Sequence, residues 1–101
     1  MKYPKFILTM DGHLRFGMVY MHEDLLQSGD QCIGGGYYAI DPIGMRLVLD
    51  RESYDFGMPK WHLVEELFVP EEYRGLHLVY CYDNSYEDDL ILNDSHIIIY
   101  E

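Results

Sequence analysis

The chain has 101 residues, 49% of them apolar and 15% aromatic, which fits one folded domain and excludes a disordered chain. Two cysteines, Cys32 and Cys81, are too few for a disulfide framework, and both sit among apolar residues, so reduced, buried thiols are expected. The net charge of −11 is uneven, because residues 1–60 hold eight acids and six bases (−2) whereas residues 61–101 hold ten acids and one base, Arg74 (−9).

Residues 5–10 and 14–21 are two β-leaning runs separated by Asp11-Gly12-His13, and Asp-Gly between such runs is a hairpin signal. Residues 22–29 carry acids early and Gly29 at their end, which fits one helical turn or a tight loop. The run Gly34-Gly35-Gly36 lacks a following Gly-Lys-Ser/Thr and leads into a strand rather than a helix. A bulge or a close packing contact therefore suits it better than a phosphate site.

Residues 37–50 read as a complete hairpin. Its turn is Asp41-Pro42-Ile43-Gly44, with an aspartate to accept backbone hydrogen bonds, a proline to set φ and a glycine for the awkward conformation. Met45, Leu47 and Leu49 alternate with Arg46, Val48 and Asp50, the pattern of a half-buried strand. Residues 51–60 lose the alternation and form a loop anchored by Tyr54 and Phe56.

Trp61, Val64 and Phe68 then fall at helical spacing, with Pro70 as a stop, and predict a short amphipathic helix over about residues 60–69 with Glu65 and Glu66 outward. Residues 70–75 suggest one more helical turn. Residues 76–82 form a strand, 83–89 an acidic loop, and 90–92 and 96–100 two short strands across a polar turn. The expected architecture is a single α+β domain over residues 1–101: a mainly antiparallel sheet of about six or seven hairpin-linked strands with one short helix.

Five histidines are scattered one per element, so no pair has metal-ligand spacing. His62 with Glu65 and Glu66 is the nearest approach, and an exposed imidazole beside two carboxylates is the plainer reading. The loop 83–89 begins like a calcium loop but lacks its glycine and its final glutamate. Neither cysteine has the adjacent base that nucleophilic catalysis requires. No metal, cofactor or catalytic residue is assigned.

The C-terminal acidity repels nucleic acid and anionic membrane and steers a basic protein surface toward it. The function expected is a non-enzymatic interaction module of the inhibitor, immunity or nucleic-acid-mimic kind, with Glu71, Glu72, Asp83, Tyr86, Glu87, Asp88 and Asp89 as its recognition face. The alternative is a small-molecule or enzymatic pocket at Gly34, Gly35 and Gly36, closed by Tyr54 and Trp61. The N-terminal run has no signal-peptide pattern, so a cytoplasmic location is expected. The isoleucine-rich strand 96–100 is expected to be internal, in a monomer, or to pair two copies into a homodimer.

Overall fold

Period-two patterning and two well-marked turns account for most of the sheet. The computed structural model describes residues 1–50 and 59–81, with the side chains of His62 and Cys81 left aside. Among the described residues the strands are β1 (Tyr3–Thr9), β2 (Leu14–Val19), β3 (Cys32–Asp41), β4 (Arg46–Asp50) and β5 (His77–Cys81), in one sheet of order β2-β1-β3-β4-β5. These five correspond to the expected strands that fall on described residues, and the count of six or seven rests on segments outside them. Residues 51–58 of the loop expected over 51–60, the acidic loop 83–89 and the strands at 90–92 and 96–100 lie outside the described residues.

Asp11-Gly12 turns β1 into β2, with Gly12 at φ 90 and its N–H donating to the Thr9 carbonyl at 2.9 Å. The β3–β4 hairpin also forms as read, but its strain sits one residue later than expected. The Asp41 carboxylate accepts from the N–H groups of Ile43 (3.1 Å) and Gly44 (3.0 Å) and from the Arg46 guanidinium (2.7 Å), and the left-handed residue is Met45, at φ 53. A side chain at this φ costs roughly 1–2 kcal/mol, part of which glycine gives back as unfolded-state entropy. Met45→Gly is therefore expected to stabilise by about 0.5–1 kcal/mol, a rise of a few degrees in a thermal melt. An unchanged or lower Tm would show that Met45 packing outweighs its backbone strain.

Three strand pairs are antiparallel, but β5 runs parallel to β4, with Leu47 opposite Leu78 and Leu49 opposite Tyr80. The sheet is therefore mixed and not wholly hairpin-linked. A parallel pair needs a crossover, and the chain between β4 and β5 provides it.

The helix expected over 60–69 does not form. One 3-10 turn spans Trp61–Leu63, and the chain then extends. The Phe68 N–H donates to the Gly12 carbonyl at 2.8 Å and the Leu14 N–H donates to the Phe68 carbonyl at 3.0 Å, so this segment is strapped to the β1–β2 turn. Leu67 and Val69 are buried while Phe68 is exposed, the alternation of an extended chain. An isolated helix of this length is marginal, and backbone bonds to a preformed turn win over it. A second 3-10 turn, Glu71–Tyr73, ends near Gly75, as the proline-to-glycine pattern implied.

The core lies between the sheet and this strap. Phe6, Leu8, Leu14, Leu47, Leu49, Leu78 and Tyr80 pack with Trp61, Leu67 and Val69. Phe16, Tyr38 and Tyr73 form an edge-to-face aromatic group beside them. On the opposite face a 3-10 turn, His22–Leu25, closes over β1 and β3; His22 is 1% exposed and its Nε2 donates to the Gly36 carbonyl at 2.9 Å.

Candidate functional site

The strap and the β1–β2 turn enclose an open groove of about 380 Å³. Its apolar walls are Met10, Leu63, Val64 and Phe68, and its rim carries Asp11, Glu65 and Glu66. Local chemistry fixes this shape. A Cβ on Gly12 would collide with the Glu66 carbonyl oxygen, so glycine lets the turn and strap touch, and the His13 ring stacks on Phe68 with centroids 4.9 Å apart. Met10, Leu63 and Phe68 remain 38%, 45% and 42% exposed, and all three carboxylates are exposed. Among the described residues no lining side chain is basic, so these carboxylates meet no neutralising charge from them. An apolar floor under three carboxylates suits a side chain with a long aliphatic stem and a cationic head.

A second groove, about 330 Å³, runs along β2 between the 24–27 segment and Pro70. Arg15 in its lining is already engaged: Nε donates to Asp30 at 2.8 Å and the second bond measures 3.2 Å. The Arg15 hydrogen bonds, with the Gln27 N–H at 2.8 Å, hold the Asp30 carboxyl below the usual carboxylate range. A depressed folded-state pKa contributes stability above the ordinary carboxylate value, and that stability is lost as pH falls through the lowered one. Asp30→Asn is therefore expected to lower stability at neutral pH and to flatten the acid limb of an unfolding profile below about pH 4. An unaltered acid limb would remove Asp30 as a contributor.

Of the residues expected from sequence, Glu71 and Glu72 are exposed on the Glu71–Tyr73 turn and line neither groove. Tyr73 turns inward; burial pushes its hydroxyl above the usual tyrosine range, and the hydrogen bond with Tyr38 acts the same way. Asp83, Tyr86, Glu87, Asp88, Asp89 and Tyr54 lie outside the described residues. Cys32 is a free thiol, only half-buried rather than buried, and its S–H donates to the Gly34 carbonyl at 3.3 Å. Burial raises its pKa and disfavours the thiolate.

Gly34, Gly35 and Gly36 are buried in β3 and line neither groove. Both packing and irregularity explain them. Leu8 pairs with Gly34 and Thr9 with Cys32, which leaves Ile33 as a bulge residue. A Cβ would meet Pro59 at Gly34, the Phe6 carbonyl oxygen and His22 at Gly35, and the Asp50 carbonyl oxygen at Gly36. Trp61, the other described member of the alternative pocket, is 6% exposed against Tyr80.

Sequence reasoning placed Leu63 and Phe68 on the apolar face of a helix and Met10 at the end of a strand. The signal that was available is the two-residue spacing of Leu67 and Val69, which as a strand would turn Phe68 to the other face. Among the described residues no helix is long and apolar enough to cross a membrane, and no group of three metal-binding side chains occurs. Comparison with protein-family models, with curated proteins and with solved structures gives no significant match to this chain.

Proposed function

We propose that the protein is a non-enzymatic, cytoplasmic interaction module that binds a basic protein surface and neither nucleic acid nor membrane. The observation that carries this reading is the groove in which exposed Leu63 and Phe68 lie among Asp11, Glu65 and Glu66. Exposed apolar area supplies affinity, and uncompensated carboxylates select a cationic partner and speed its encounter. The sequence of residues 61–101 carries a net charge of −9, and within it Glu71 and Glu72 are exposed carboxylates.

The test is affinity capture with the full chain at low and high salt, followed by rate measurements on the captured partner. Binding should weaken as salt rises, because exposed charges are screened within about 8–10 Å at physiological ionic strength. Glu65→Gln with Glu66→Gln should slow association more than Glu87→Gln with Asp88→Asn and Asp89→Asn if the groove leads, and less if the loop leads. A partner held equally at both salts, or nothing captured, would overturn the electrostatic reading.

A further inference from the structure

Among the described residues the outer edge of β2 is unpaired beyond its first step, and the hairpin parity shows which backbone groups it presents. The His13 carbonyl accepts from the Thr9 N–H at 2.9 Å, toward β1, whereas the Leu14 N–H donates away from β1 to the Phe68 carbonyl at 3.0 Å. Alternation along a strand then turns the backbone groups of Arg15 and Gly17 toward β1 and those of Phe16 and Met18 outward. The strap occupies this edge only at its first step, where His13 and Phe68 form a parallel bridge. Beyond Pro70 the edge is the floor of the second groove, whose walls are Leu25, Leu26 and Gln27 on one side and Pro70 on the other.

Edge strands are commonly guarded by a charge, a proline or a bulge. Here the charge, Arg15, is tied to Asp30, β2 contains no proline, and the bulge lies in β3. Met18 and Tyr20 at the far end are 56% and 58% exposed. Pro4 sits opposite Met18, beyond the last β1–β3 pair at Lys5, so its missing N–H leaves the ladder intact.

We propose that the β2 edge binds an extended segment of a partner protein by strand addition, pairing its backbone with Phe16 and Met18 and placing an apolar side chain between Leu25 and Pro70. The occupant is a single strand with both of its own faces free, because walls rise on either side of the floor and two recessed β2 edges would meet walls before backbones. Its net charge is zero or positive, since a chain of charge −11 repels an acidic segment. This mode is independent of whether the acidic groove is used, so each can fail without the other.

The probe is a display library of short random peptides selected on the immobilised full-length protein. The variant is Met18→Pro: the lost N–H points outward, so the β1 ladder and the melting temperature should be retained while the selected peptides bind at least about tenfold more weakly. Amide hydrogen exchange adds a readout free of any ligand: Phe16 and Met18 should exchange much faster than Arg15 and Gly17, and the selected peptide should slow them. Peptides that bind Met18→Pro as tightly as wild type, that shift Leu63 and Phe68 instead of Phe16 and Met18, or that are not selected at all would overturn the proposal. So would a solution dimer dissociated by Met18→Pro, which would assign the edge to a second copy. If Met18→Pro unfolds, slow exchange at Phe16 and Met18 in the wild type overturns the proposal, and fast exchange slowed by peptide upholds it.

Discussion

Gly36→Ala is expected to cost about 2–4 kcal/mol, a large part of the roughly 5–15 kcal/mol that holds a domain together, through overpacking alone. The added Cβ would fall on the Asp50 carbonyl oxygen and lie 3.0 Å from Phe6 Cε1. Neither neighbour can yield easily. The Asp50 carbonyl belongs to β4, held in register by the Tyr37–Asp50 pair, and Phe6 is fully buried. Gly29→Ala is the fitting control, since Gly29 lies at φ 88 with nothing within 4 Å of its Cβ, so that variant costs only the roughly 1–2 kcal/mol of a left-handed residue. Urea unfolding of both variants by circular dichroism separates the two mechanisms. A Gly36→Ala protein as stable as Gly29→Ala would mean that β3 and β4 can part without loss, contrary to the packing described.

The glycine run shows what a sequence can and cannot say about such a fold. Three glycines in a β-rich run announce a close approach, but what approaches is set by residues distant in the chain: His22, Asp50 and Pro59. Local signals were legible because they are local. Asp11-Gly12 and Asp41-Pro42-Ile43-Gly44 both turn hairpins, and Gly75 closes the turn after Pro70. The placement of β3 beside β1 and the parallel seat of β5 depend on pairing between segments far apart, which alternation alone cannot rank. Residues 60–69 failed for a related reason. Trp61, Val64 and Phe68 have helical spacing, yet Leu67 and Val69 also have strand spacing, and hydrogen bonds to Gly12 and Leu14 decided between them. Of the candidate site, the acidity was legible from composition, whereas the exposure of Leu63 and Phe68 was hidden by that same misread period.

Trp61→Ala is the second large effect expected, because this side chain anchors the start of the strap to the sheet. Trp61 is 6% exposed and meets Tyr80 edge-to-face at 5.1 Å, joining the strap to β5, while the Lys60 N–H donates to the Ile33 carbonyl at 3.1 Å and ties the same point to β3. Truncating a buried tryptophan costs about 3–5 kcal/mol in lost transfer energy and residual cavity, enough to leave a domain this small marginal at 37 °C. Trp61→Phe should behave differently. Its ring can keep the contact with Tyr80, and it removes the indole Nε1–H, which is buried with no hydrogen-bond partner among the described residues. The gain from deleting an unsatisfied donor, about 1–3 kcal/mol, offsets much of the lost volume, so a net loss of roughly 1–2 kcal/mol is expected. Thermal melts followed by circular dichroism give the ranking wild type, Trp61→Phe, Trp61→Ala, and the single tryptophan of the chain reports the wild-type transition by fluorescence. Because Leu63, Glu65, Glu66 and Phe68 follow Trp61 on the same strap, the loss of this anchor should also weaken any ligand of the acid-rimmed groove. A Trp61→Ala protein that melts with the wild type would separate Trp61 from the core and leave the groove without the support assigned to it.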